Sequence, residues 1–111
     1  MAFELILSEN FDNEAKKLKK KYPSLSDDLE GLFDELENNP QLGTPISQDC
    51  YKIRLHIKSK KTGKSGGGRV ITCVKIVDET VYLLSVYDKS EQENISDKRL
   101  HFILKEAGLS S

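Results

Sequence analysis

Tryptophan is absent from this chain, methionine occurs once and cysteine twice. Two thiols, Cys50 and Cys73, are too few for a disulfide framework or a four-cysteine zinc site. No His/Cys/Asp group has metal-ligand spacing. No apolar run approaches the roughly 20 residues of a membrane span. The start, Met1-Ala2-Phe3-Glu4-Leu5, has neither the basic stretch nor the long apolar core of a signal peptide. A reduced, cytoplasmic protein with no metal, cofactor or membrane contact is the expectation. With three prolines and seven glycines in 111 residues, there is no long linker, and no repeat appears either. Residues 1–111 therefore read as a single domain. A chain of this size buries roughly two-thirds of its unfolded surface, and 37% hydrophobic residues against 32% charged still permit a core, which argues against wholesale disorder.

Acid is also missing from one stretch. Residues 1–49 carry eleven acids and five bases, and residues 78–111 carry seven acids and four bases. Residues 50–77 carry eight bases and no acid: Lys52, Arg54, Lys58, Lys60, Lys61, Lys64, Arg69 and Lys75. Within a chain of net charge −1, such a run is a local electrostatic feature suited to a polyanion. A solvated, lysine-rich hairpin loop is the plain alternative.

Apolar spacing supplies the secondary structure. Residues 3–8 read as a first strand. Phe11, Ala15, Leu18 and Tyr22 make one helical stripe behind a Ser8 or Asn10 cap, and Pro23 stops it. Leu25, Leu29, Leu32, Phe33 and Leu36 make a second stripe behind Ser24 or Ser26. The two helices should pair as a hairpin. Residues 39–49, with Pro40, Gly43 and Pro45, read as a loop. Strict alternation follows: Tyr51, Ile53, Leu55 and Ile57 on one face, Lys52, Arg54, His56 and Lys58 on the other. Residues 69–77 and 81–87 are β-branched-rich strands. Ser96 caps a short last helix bearing Leu100, Ile103, Leu104 and Ala107, with Gly108 at its stop. The fold class is α+β in the order β-α-α-β-β-β-α. A mostly antiparallel four-stranded sheet carries the helical hairpin on one face and ends in a short C-terminal helix.

The alternating strand puts basic groups about 6.5–7 Å apart, twice the rise per residue. That row suits successive phosphates or the charge of a phosphoryl transition state; an ordinary exposed sheet face is the alternative. Arg69 begins the neighbouring strand and can return to the same surface. Ser85, Tyr87 and Lys89 share one parity on the last strand and can complete it. Gly63-Lys64-Ser65 lacks the upstream glycine and following helix of a P-loop. Gly66-Gly67-Gly68 either brings backbone amides to a phosphate or merely gives the loop freedom. His56 is a candidate general base or a surface histidine, and His101 reads as a helix-surface residue. Cys50 and Cys73 read as small strand residues.

The element order resembles the RelE/ParE superfamily, toxins of bacterial type II toxin–antitoxin modules. So do Asp49-Cys50-Tyr51-Lys52-Ile53-Arg54-Leu55, the Gly-Gly-Arg69-Val-Ile strand opening, and Tyr82-Leu-Leu-Ser-Val-Tyr87-Asp-Lys89 before a short helix. The Lys64-Ser-Gly-Gly-Gly-Arg69 stretch is most similar to its RelE-like and HigB-like branches. The resemblance implies a cytoplasmic, ribosome-dependent, metal-independent endoribonuclease that cuts mRNA through its own 2′-hydroxyl and is held in check by a cognate antitoxin. It implies phosphate-binding and stabilising roles for Lys52, Arg54, Arg69 and Lys89. His56 or Tyr87 would be the acid or base, and Lys58, Lys60, Lys61 and Lys64 would hold RNA. The tyrosine that such ribonucleases carry after the last strand corresponds to Ile95 here, so the alternative is a ParE-type gyrase poison or a degenerate toxin that only binds its antitoxin, against which the Lys52/Arg54/Arg69 set favours the enzyme.

Overall fold

Each helix begins where a short polar side chain meets an apolar stripe. Ser8 caps α1 (Glu9–Lys21), its hydroxyl accepting from the Phe11 N–H, and Ser96 caps α3 (Asp97–Glu106) by accepting from Arg99. Ser24 precedes α2 (Leu25–Asn38), but its hydroxyl turns to the Asp28 carboxylate at 2.7 Å and makes no capping bond. The computed structural model describes residues 2–60 and 66–109. It contains strands β1 (Glu4–Leu7), β2 (Thr44–Ser47), β3 (Cys50–Leu55), β4 (Gly68–Lys75) and β5 (Thr80–Asp88). No helix among the described residues is long and apolar enough to cross a membrane.

The sheet is five-stranded and mixed, in the order β1-β5-β4-β3-β2. Three sequence expectations are corrected here. The stretch read as a loop contains β2, an edge strand antiparallel to β3. Pro45 is tolerated there because an edge strand has one side free of partners. The sheet has five strands rather than the expected four and is mixed, because β1 runs parallel to β5 at the opposite edge while the other pairings are antiparallel. The expected strand over 51–58 ends at Leu55, and residues 58–60 form a 3-10 turn.

Both faces of the sheet are covered. The stripes of α1 and α2 pack with Ile53, Leu55, Ile57, Val70, Val74, Val81, Leu83 and Val86 in one core. The register expected for β3 therefore holds: Ile53, Leu55 and Ile57 are buried while Arg54 is exposed. On the other face α3 places Leu100 and Ile103 against Cys50, Ile71, Cys73, Leu84 and Tyr87, with Ile95 packed alongside. A bulge makes this possible. Ile71 faces Ser85 and Thr72 faces Leu83, so Leu84 is the extra residue on β5.

Strand β1 covers only Thr80–Leu83 of its neighbour. Beyond that, α1 serves the bare edge of β5 with side chains. Asn10 Nδ2 donates to the Leu84 carbonyl at 2.9 Å, and Glu14 Oε1 accepts from Ser85 Oγ at 2.7 Å and from the Val86 N–H at 3.2 Å. An unsatisfied buried backbone group is costly, so this is how an interrupted edge is tolerated. Glu14→Ala should lower stability by about 1–3 kcal/mol, because it orphans two buried donors. Glu14→Gln, which keeps an acceptor oxygen, should recover most of the urea midpoint.

Candidate phosphate-binding site

Register decides which of the basic residues meet. The Val74 N–H donates to the Asp49 carbonyl at 2.8 Å, so Asp49 and Val74 form a hydrogen-bonded pair. Pairing alternates from there. Cys50/Cys73, Lys52/Ile71 and Arg54/Arg69 are the non-hydrogen-bonded pairs, the class in which Cα atoms lie about 4.5 Å apart and side chains approach most closely. Arg54 and Arg69 are thus two like charges set directly opposite at the closest cross-strand spacing, an arrangement that costs stability. Arg69 in turn pairs with Tyr87 on β5. Three of the expected residues, Arg54, Arg69 and Tyr87, lie in one row across three strands.

Their environments differ along the row. Arg54 is exposed, whereas Arg69 is 4% and Tyr87 5% exposed. Arg69 Nη1 donates to the Gly68 carbonyl at 2.9 Å. The Tyr87 hydroxyl is buried with no hydrogen-bond partner among the described residues. Burial pushes this phenol above its ordinary pKa, and the Arg69 charge offsets that only in part. Tyr87 is consequently a proton donor at neutral pH. A buried donor without an acceptor calls for an explanation, and an anion held by the arginine pair would supply the acceptor.

The other expected residues are placed as follows. Lys52 shares the face of Arg54, one pair further along, and its ammonium donates to Asn94 Oδ1 at 2.9 Å. Lys89 follows β5, its N–H bonded to the Gly67 carbonyl at 3.0 Å, which holds the glycine loop against the strand end. His56 is exposed just past the end of β3, and Lys58 is exposed on the 3-10 turn. Lys61 and Lys64 lie outside the described residues. Ser85 is not available to the row, because Glu14 takes its hydroxyl.

Lys60 departs most from its expected role as an open RNA-holding cation. Its ammonium is folded inward to Asp88 Oδ1 at 2.5 Å, with further bonds to the Gly66 and Gly67 carbonyls and Ser90 Oγ. The side chains are 10% and 1% exposed. Asp88 also accepts from the Tyr22 hydroxyl at 2.6 Å and from the Ser90 N–H and hydroxyl. This cluster ties the end of α1, the 3-10 turn and the glycine loop to the end of β5. Sequence offered no pointer to it, since Lys60 and Asp88 are 28 residues apart. Among the described residues no group of three His, Cys, Asp or Glu side chains is gathered to hold a metal.

A small α+β domain that sets two arginines and a tyrosine across one sheet face belongs among candidate polyanion binders. No protein-family model matches the chain. Solved structures do. A doubly substituted E. coli toxin RelE in the free state has 23% identity and a TM-score of 0.62, over 97% of this chain and 96% of that one. A similar RelE variant in complex with an antitoxin peptide has 25% identity and a TM-score of 0.60, over 87% of this chain and 98% of that one. The toxin–antitoxin complex RelBE2 from Mycobacterium tuberculosis has 17% identity and a TM-score of 0.60, over 79% of this chain and 99% of its own. The chain has the RelE fold, and its resemblance to the RelE/ParE superfamily holds at the level of the fold over nearly the whole length.

Proposed function

We propose that this protein is the toxin of a type II toxin–antitoxin module, a cytoplasmic endoribonuclease that cleaves mRNA on the ribosome without a metal. The observation that carries the reading is the Arg54/Arg69 pair with the Tyr87 hydroxyl beside it, which has no hydrogen-bond partner among the described residues. A phosphoryl group held on this row accepts from both guanidiniums and from the phenol. In the reaction the RNA 2′-hydroxyl attacks the adjacent phosphorus, the bond to the 5′-oxygen breaks, and a cyclic phosphate remains. Negative charge gathers on the phosphoryl oxygens, where Arg54 and Arg69 stabilise it, assisted by Lys52 and Lys89. Tyr87, held protonated by burial, suits the donor role toward a phosphoryl or leaving oxygen. His56, at the open end of β3, suits the base that takes the 2′-proton. Lys58 holds the strand from outside the reacting centre. The cognate antitoxin is the expected protein partner, since the structures that share this fold include complexes with antitoxins.

Induced expression of the chain tests the reading. Growth and protein synthesis should stop within minutes, with mRNA cut inside codons at the ribosomal A site. Replication arrest with intact mRNA would mark a gyrase poison instead. Ile95, packed half-buried against the Tyr87 cluster where the ribonuclease branch carries a tyrosine, is the feature consistent with that outcome. Unimpaired growth would leave a chain that only binds its antitoxin.

A further inference from the structure

The two cysteines of the chain are 23 residues apart in sequence and directly opposite in space. Cys50 on β3 faces Cys73 on β4, and the hydrogen bond of the adjoining Asp49/Val74 pair places them in a non-hydrogen-bonded position. Cα atoms in such a pair are about 4.5 Å apart, inside the range of about 4.4–6.8 Å that a disulfide spans without moving backbone. Both thiols are free and buried. They are not equivalent. Cys73 borders an open cavity of about 380 Å³ that is also lined by Asp49, Lys75, His101 and Leu104. Cys50 lies beneath, fully covered.

We propose that Cys50 and Cys73 are a peroxide-reactive thiol pair, in which Cys73 is attacked first and Cys50 closes a cross-strand disulfide. The cavity admits a small hydroperoxide to Cys73. The Cys73 sulfur attacks one peroxide oxygen, the O–O bond breaks, and the departing oxygen leaves as water with the thiol proton. Cys73 is then a sulfenic acid. The Cys50 sulfur displaces that hydroxyl, which leaves as a second water with the Cys50 proton, and the S–S bond forms. Two thiols lose two electrons and one hydrogen peroxide becomes two waters. The electrostatics favour this order. Contact between the two thiols, aided by the Lys75 ammonium, lowers the Cys73 thiol below its ordinary pKa, and the same contact together with burial raises Cys50. Lys75 is itself held near by Asp49 at 3.3 Å. The inference stands apart from the toxin reading, because neither cysteine belongs to the arginine row.

The test is the intact mass of the full-length protein after equimolar hydrogen peroxide, under denaturing, non-reducing conditions. The wild-type chain should lose about 2 Da, regain it with dithiothreitol, and yield one proteolytic fragment pair joining Cys50 to Cys73. Cys50→Ser should stop at the sulfenic acid and take up a dimedone label on Cys73, while Cys73→Ser should take up none. The peptide map of the wild type needs no variant to fold. An unchanged wild-type mass, a disulfide only between two chains, or label on Cys50 in Cys73→Ser would overturn the proposal.

Discussion

Arg69→Ala should cut ribosome-dependent mRNA cleavage by about 10²–10³-fold, the scale for loss of one preorganised donor at a developing oxyanion. Arg69 occupies the middle of the row, between Arg54 and Tyr87, so it is the cation both neighbours are organised around. Its charge matters most when the phosphorane forms, and ribosome binding should change much less. Single-turnover rates on saturating ribosomes separate the two effects. Because Arg69 is buried, the variant's fold must be checked by its melting curve, and Arg69→Lys gives a second reading. Lysine keeps the charge but loses the planar fork, so it should fall between wild type and alanine. Arg54→Ala should also slow cleavage, yet leave the protein as stable or more stable by about 0.2–1 kcal/mol, because it removes a like-charge opposition. Higher salt should shrink that gain. Wild-type cleavage by a folded Arg69→Ala protein would remove the arginine row from the chemistry.

Asp88→Asn should cost about 3–5 kcal/mol of stability, the range for breaking a buried pair and stranding its partner. The Lys60 ammonium would remain inside the glycine loop facing a neutral amide. Burial alone would raise the Asp88 pKa. The bonds from Lys60, Tyr22 and Ser90 outweigh it and hold the carboxyl well below the usual carboxylate range. The unfolded-state value is about 3.9, so the folded state binds a proton less readily than the unfolded one. The Asp88 contribution is therefore fully present above about pH 4 and is lost as pH falls toward the depressed folded value. Urea titrations from pH 7 to pH 2 should show the wild type losing this stability in acid and Asp88→Asn lacking that part of the slope. A midpoint within experimental error of wild type at pH 7 would mean that solvent already screens the pair.

The helices were legible because stripes and caps are local. Phe11, Ala15, Leu25, Leu29, Leu32 and Leu36 are all buried as their spacing required. The alternation of Ile53 and Leu55 with Lys52 and Arg54 likewise set the orientation of β3. Strand β2 was hidden by Pro45 and Gly43, which mark loops unless the segment is known to be an edge. The second covered face had left a trace: residues 70–74 and 81–86 are nearly continuous apolar runs, the pattern of strands buried on both sides. The site was legible as residue types but not as a row. Arg54, Arg69 and Tyr87 align only through the pairing of three strands and the bulge at Leu84, and neither is written in any short window. The inward ion pair of Lys60 is hidden from the sequence for the same reason, since its partner is supplied by the far end of β5.

The parallel pairing of β1 with β5 also bears on how the chain is made. The row-bearing strands β3, β4 and β5 are consecutive and can zip together as neighbouring hairpins. Strand β1, the first to be synthesised, must wait for Thr80–Leu83. Closing that long loop carries an entropy cost that the hairpins escape, and contacts of such sequence separation slow folding. During translation the N-terminal strand and the α1/α2 hairpin emerge early with their apolar faces uncovered. They are fully covered only once β5 is in place, so the finished sheet waits on that strand.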